Sequence, residues 1–302
     1  MTEANDDLGV IYLAFGYEYA VQAIQSVCSL KSIHPELDAS ILTNVPLKEE
    51  ISDSISYKGT VVGPKLFDNV IYVNDSNDSN RDYKTTINEY SPYDKTLFLD
   101  CDIIIKSRIK DGFKILDYAD IAALYRPLPS GPMVNSWGGK INVEGLDIEH
   151  ISSFYSGVIF FNKRDSKEFF ERWNKKYQEF GYKFDQYAFT HSIITSNIHY
   201  LPLPATWNAM DNHMKPYNRF DSEYNFKSNI KIRHKNYYTI SRMNELRKFE
   251  KKIGQQFLDI NTSHKKMKVR KEFIRKFGVA SMAKSLLGKS RILSSLYKAY
   301  KN

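Results

Sequence analysis

The 302 residues, 42% of them hydrophobic, can bury the core of one large α/β domain with an appendage, and they exclude a small disulfide-stapled or fibrous chain. Only Cys28 and Cys101 are present, each inside an apolar stretch, so no disulfide framework is expected and a reducing compartment fits. The net charge of +8 conceals a division: from Lys231 onward 20 Lys and Arg stand against 4 Asp and Glu, which leaves 23 against 31 of the chain's 43 and 35 in the residues before it.

The opening MTEANDDLGV is polar and acidic, unlike a signal peptide, and no apolar run approaches about 18 residues. The expectation is a cytoplasmic protein, peripheral on the inner membrane face at most. GVIYLAF, residues 9–15, reads as the first strand, with Gly16-Tyr17 as a turn into a helix from Tyr19 to Ile33. Ala20, Ala23, Ile24, Val27 and Leu30 follow helical spacing, and His34-Pro35 ends the run. ASILT at 39–43 and VIYV at 70–73 read as further strands, so strands alternating with helices predict βαβ units and a mostly parallel sheet. The first strand-to-helix turn of such a sheet commonly meets a nucleotide, which makes Phe15, Gly16 and Tyr17 candidates to flank a base. The turn lacks GxGxxG, which argues against a dinucleotide dehydrogenase.

After the polar NDSNDSNR, residues 82–90 read as one short helix carrying Lys84, a basic side chain placed to fold back toward a phosphate or to stay solvated. The stretch LFLDCDIII, residues 97–105, is the most informative of the chain. An apolar run of this kind reads as a strand buried on both faces, and a bare carboxylate within it needs compensation. A hard divalent cation held by Asp100 and Asp102 would supply it, the alternative being that both are surface residues at a strand end with no metal. Two geometries serve: the strand runs through both acids, which then point one way, or it ends at Asp100 and leaves them at the carboxyl edge.

GFKILDYADIAALY reads as a helix and a strand, and the Gly-, Pro- and Ser-rich stretch within 127–149 reads as a lid or substrate loop carrying Trp137. In FYSGVIFFNK, Ser156 and Gly157 form a small-residue turn that lets a ligand approach the backbone before a strand begins. The helix from Ser166 to Phe180 directs Phe169, Phe170, Trp173 and Tyr177 to the core. Asp185 and Gln186 open the next helix, where Asp185 either caps it or faces a cleft and meets sugar hydroxyls. LPATWN then offers Trp207 and Asn208 as candidate substrate contacts, and NIKIRH, the last sheet element, delivers His234 as a candidate third metal ligand or a structural histidine.

In order, YLAFGYEYA, Lys84, LFLDCDIII, YSGVIFFNK, FDQYAF, LPATWN and IRH resemble the nucleotide-sugar-dependent glycosyltransferases of the GT-A fold, of the glycogenin and lipopolysaccharide galactosyltransferase type known as family 8. The resemblance covers roughly residues 9–238, and LFLDCD is its most specific motif. It implies Mn²⁺ (or Mg²⁺) held by Asp100, Asp102 and His234 against the diphosphate of a UDP-sugar, with the base at Phe15-Gly16-Tyr17 and Lys84 on phosphate or sugar. It also implies that Asp185 and Gln186 stand near the transferred sugar and that the reaction retains configuration. Two positions differ from the family: Tyr155-Ser156-Gly157 stands where many members have Asn-Ser-Gly, and KNYYTI follows His234 in place of HxxGxxKPW.

The expected architecture is a GT-A domain over 1–240 and a basic helical region over 241–302. In that region Leu293, Leu296, Tyr297 and Tyr300 share one helical face, as do Phe273, Phe277 and Ala280, while Lys and Arg fill much of the rest. Such helices suit an anionic membrane surface or pack back on the domain, and no nucleic-acid motif accompanies the charge. The expected partners are a nucleotide-sugar donor and a glycan or lipid-linked acceptor. A nucleotidyltransferase is the second enzyme reading, set back by the missing glycine-rich basic loop, and a non-catalytic module docked to membrane or nucleic acid by the tail is the third.

Overall fold

A computed structural model describes residues 7–74, 80–129, 142–143, 146–147, 152–181, 185–210, 229–235 and 240–259. Trp137 and the tail beyond residue 259 lie outside them.

The first strand, β1 (Leu8–Ala14), shows why the sheet is buried on both sides. Val10, Tyr12 and Ala14 enter one apolar cluster and Ile11 and Leu13 the other, the period-two alternation of a strand with no solvent face. The chain continues through α1 (Tyr17–Lys31), β2 (Asp38–Thr43), a hairpin of β3 (Ile55–Tyr57) and β4 (Thr60–Val62), and β5 (Asn69–Tyr72). Next come α2 (Asn80–Lys84), α3 (Ile87–Tyr90), β6 (Lys95–Leu99), β7 (Ile103–Ile105), a 3₁₀ stretch over Lys110–Asp117 and β8 (Ile121–Pro129). A short pair, β9 (Asn142–Val143) and β10 (Leu146–Asp147), precedes β11 (Ser152–Asn162), α4 (Lys167–Glu179), α5 (Asp185–Thr195) and β12 (Tyr200–Leu203). The last elements are a 3₁₀ turn over Ala205–Trp207, β13 (Ala209–Met210), β14 (Ile232–His234), α6 (Ile240–Phe249), a π turn over Glu250–Gly254 and α7 (Gln255–Phe257).

The central sheet runs β12-β8-β11-β6-β1-β2-β5. Every neighbouring pair is parallel except β11 with β6 and β11 with β8. Strand order reverses between β1 and β6, so a crevice opens at the carboxyl ends of those two strands, where open α/β sheets place ligands. One face is covered by α1, whose residues from Ala20 onward are all buried. The other is covered by α4 and α5, with Phe169, Phe170, Trp173, Tyr177, Ala188, Phe189 and Ile193 in one cluster. Each such side chain stabilises by about 1.5–3 kcal/mol on full burial.

Several boundaries differ from the sequence reading. The first helix begins at Tyr17 and ends at Lys31. Residues 82–90 form two short helices, because the Thr85 hydroxyl donates to the Asp82 carbonyl at 2.9 Å and interrupts the ladder. Ser156 and Gly157 lie inside β11 and not before it, at an irregularity where its register with β8 shifts. NIKIRH contributes β14 to a separate three-stranded sheet, β13-β14-β7, and not to the central one.

The segment 240–259, which opens the basic region, lies against the domain. Leu246, Phe249, Ile253, Phe257 and Leu258 join the cluster beneath α1. Tyr17 donates its hydroxyl to Glu250 Oε1 at 2.7 Å, and Leu258 bridges Leu47. Among the described residues no helix is long and apolar enough to cross a membrane.

Candidate active site

The site begins where β6 stops. The Asp100 N–H donates to the Gly157 carbonyl at 2.9 Å, a last rung of the β6-β11 pairing, and the chain then turns through Asp100-Cys101-Asp102. Cys101 enters the core and donates its Sγ hydrogen to the Leu13 carbonyl at 2.9 Å. Beyond the turn, β7 leaves the central sheet and pairs with β14 in the register His234↔Ile103. Of the two geometries the sequence left open, the structure has the second: both acids sit at the carboxyl edge, beside the strand-order reversal.

That register brings His234 to the acids. Its Nε2 lies 2.9 Å from Asp102 Oδ1 and its Nδ1 lies 3.0 Å from Asn208 Oδ1. One ligand atom from each of Asp100, Asp102 and His234 falls within 4.8 Å of the others. Two carboxylate oxygens and an imidazole nitrogen, converging and partly shielded, are a donor set suited to Mn²⁺ and, less closely, Mg²⁺. Close packing supports the convergence: a Cβ on Gly157 would stand 2.6 Å from Asp100 Oδ2 and 3.0 Å from His234 Cε1. Only glycine leaves the acid and the ring this near the strand.

The charges are interdependent. Burial pushes the Asp100 carboxyl up against the pull of Lys84 and His234. Burial also opposes ionisation of Asp102, but the His234 charge and hydrogen bond outweigh it and hold that carboxyl below its usual range. For His234 burial disfavours the cation, yet Asp102 and then Asp100 raise its pKa, and the two ring nitrogens face Asp102 and Asn208. Asn208 is buried, and its Nδ2 has no hydrogen-bond partner among the described residues.

Lys84 extends the cluster toward α5. Its Nζ lies 2.8 Å from Asp100 Oδ1 and 3.5 Å from Asp185 Oδ2, with 10% of the side chain exposed. Burial works against the ammonium, but Asp100 and Asp185 outweigh it and hold its pKa above the ordinary lysine value. Asp185 is also met by Arg81 Nε at 3.5 Å and by the Ser156 hydroxyl at 3.1 Å. Its backbone carbonyl accepts from Trp173 Nε1 at 2.8 Å, which ties the first turn of α5 to the core. The carboxylate therefore faces the cluster.

Other residues named from sequence fall at varying distances from this cluster. Gln186 follows Asp185 in the first turn of α5 and is half-buried. Phe15 is fully buried and packs on Tyr83 with ring centroids 4.5 Å apart, so its ring offers no free face, whereas its backbone N–H donates to Asn80 Oδ1 at 2.7 Å. Gly16, at φ 91°, turns the chain into α1 with its N–H on Asn44 Oδ1, while the half-buried Tyr17 is bonded to Glu250. Trp207 packs on Phe160 and over Gly112, at the core end of its turn, and its neighbour Asn208 orients the His234 ring. Sequence reasoning missed Arg81, Asn80 and Asn44. Arg81 and Lys84 lie three apart on one face of α2, which begins at Asn80, whereas the sequence reading left Arg81 in the polar loop before the helix.

No protein-family model matches the chain, and no curated protein does. Solved structures do. The galactosyltransferase LgtC in complex with donor and acceptor sugar analogs aligns at TM-score 0.51 and 13% identity, over 85% of this chain and 99% of that one. The glycosyltransferase GlyE of Streptococcus pneumoniae TIGR4 aligns at 0.51 and 16% identity, over 76% of this chain and 54% of its own. The fold is GT-A. The bifunctional glycosyltransferase WbbM aligns at 0.51 and 14% identity, over 90% of this chain and 52% of that one, so the chain spans about half the length of GlyE and of WbbM. At these identities the likeness establishes the fold alone.

Proposed function

We propose that this protein is a metal-dependent glycosyltransferase that moves a sugar from a nucleotide-diphosphate sugar, a UDP-sugar, to a glycan or lipid-linked acceptor. The observation that carries the reading is the convergence of Asp100, Asp102 and His234 within 4.8 Å at the strand-order reversal of a GT-A sheet. Asp100, Asp102 and His234 would hold Mn²⁺ or Mg²⁺, which when bound supplies neutralisation of the charge that develops on the departing diphosphate. The chain's own groups do the remainder. Lys84 adds a fixed positive charge beside the same region, buried where it is weakly screened. Asn208 Oδ1, 3.0 Å from His234 Nδ1, would accept that nitrogen's hydrogen and leave Nε2 directed at the acids. Asp185, held by Arg81, Ser156 and the Trp173–carbonyl bond, presents a carboxylate to sugar hydroxyls, with Gln186 next to it.

Basic side chains on the β7-β14 ladder, just ahead of the basic C-terminal region, support docking of the enzyme to an anionic membrane surface. In the β7-β14 register, Lys106, Lys231, Arg233 and Lys235 share one face of the ladder, with Glu245 bonded to Lys235 at 2.7 Å. Cations opposed across a ladder destabilise it, and a negatively charged surface offsets that cost.

A panel of nucleotide-sugars incubated with and without Mn²⁺ tests the main reading through release of the nucleoside diphosphate. Metal-dependent release from at least one donor, lost in Asp102→Ala, is expected. Equal release by Asp102→Ala and the native chain from every donor would refute the metal role.

A further inference from the structure

Lys84 stands where a divalent cation would bring its charge. Its ammonium is 2.8 Å from Asp100 Oδ1, one of the three groups that converge as ligands, and the side chain is nearly all buried. It also has a second acceptor at hand, Asp185 Oδ2 at 3.5 Å, on a carboxylate already fixed by Ser156 and approached by Arg81. A half-buried carboxylate such as Asp100 is stabilised by a counter-charge, and a buried ammonium needs an acceptor at all times. Two acids flanking one lysine satisfy both requirements in either of two arrangements. With Asp100 shared, the lysine is its counter-ion; with Asp100 given to a metal, Asp185 keeps the lysine paired.

We infer that Lys84 is a resident cation that occupies Asp100 in the metal-free site and is handed to Asp185 when a divalent cation binds. This rests on the metal reading above. In this scheme Lys84 lowers the affinity for the metal alone, because the incoming ion has to displace it and then remain near a like charge. Asp185 raises that affinity by receiving the displaced ammonium. The released Nζ is then free of Asp100 and can meet the donor's phosphate oxygens, so metal and donor binding reinforce one another. A lysine that only positions Asp100 for the metal would do the reverse, since its removal would weaken binding.

The test is a titration of the full chain with Mn²⁺ alone, following the loss of the free-ion signal by electron paramagnetic resonance with no nucleotide present. Lys84→Met, which keeps the stem and removes the charge, is expected to bind Mn²⁺ about tenfold tighter than the native chain. Asp185→Asn, which keeps Lys84 on Asp100, is expected to bind about fivefold weaker. In the double variant Lys84→Met/Asp185→Asn the Asn substitution should cost clearly less than it does alone, because no ammonium then needs a new partner. Equal or weaker binding by Lys84→Met, or an Asp185→Asn penalty of the same size in both backgrounds, would overturn the inference while leaving the metal site intact. Absence of Mn²⁺ binding by all four proteins would remove the metal reading and this inference together. If Lys84→Met does not fold without metal, the Asp185→Asn chain still decides: affinity equal to native refutes the handover.

Discussion

A Cβ atom on Gly157 would stand 2.6 Å from Asp100 Oδ2, closer than real Cβ contacts come. Gly157→Ala therefore forces Asp100, and with it the neighbouring His234 ring, away from the strand. The fold should persist, since the strain is local, at a cost of about 1–3 kcal/mol. Mn²⁺ affinity and donor turnover should each fall by at least about tenfold, which a metal titration and a diphosphate-release assay read separately.

The His234–Asp102 pair gives the metal-free protein a specific pH dependence. The folded pKa of His234 is raised above its ordinary 6.5, so the stability it contributes is full below that value and is lost as pH rises through the folded value. Asp102 has a lowered pKa, and its contribution is present above its ordinary 3.8 and lost as pH falls through the folded value. Thermal denaturation of metal-free protein between about pH 5 and 8 should show Tm falling toward the upper end, and His234→Gln should flatten that slope. Metal ligation needs the Nε2 lone pair, so Mn²⁺ affinity should rise over the same interval as the proton leaves, with the rise absent in His234→Gln.

Trp173 links the core to the site. Trp173→Phe preserves an aromatic side chain among Phe169, Phe170 and Phe189 but removes the donor to the Asp185 carbonyl. Denaturant unfolding should show a loss of about 1–3 kcal/mol, from the unpaired carbonyl and the smaller ring together. Turnover should drop further than the KM for donor rises, because the first turn of α5 carries Asp185.

Two truncations should behave differently. Removing residues 260–302 leaves Leu246, Phe249, Ile253, Phe257 and Leu258 in place, and the chain should keep its native circular dichroism and cooperative unfolding. Removing everything from Ser241 strips those side chains from the cluster beneath α1, at about 1.5–3 kcal/mol each, a loss comparable with the whole reserve of an ordinary domain. That shorter chain should be insoluble or unfolded by the same measurements.

Vesicle flotation checks the membrane reading. The full chain should float with vesicles containing anionic phospholipid and remain behind with neutral ones. The charge reversals Lys106→Glu and Arg233→Glu together should weaken binding by about tenfold or more, as should raised salt. Equal flotation of the reversed and native chains would dismiss the ladder face as a docking surface.

The residue pattern alone determined that β1 is a strand, that β6 is buried on both faces, that Phe169, Phe170, Trp173 and Tyr177 make a core stripe, and that two acids interrupt an apolar run. Those features are local, and periodicity and desolvation cost expose them directly. Only tertiary structure decided that the run breaks at Leu99, because the break is made by a rung from Gly157 and by β7 pairing with β14, more than a hundred residues later in the chain. The same holds for Lys84 lying between Asp100 and Asp185, and for the sealing of α1 by Phe249 and Phe257. Long-range pairings of this kind place charges by register and packing, and neither spacing nor composition encodes which partner a buried lysine will meet.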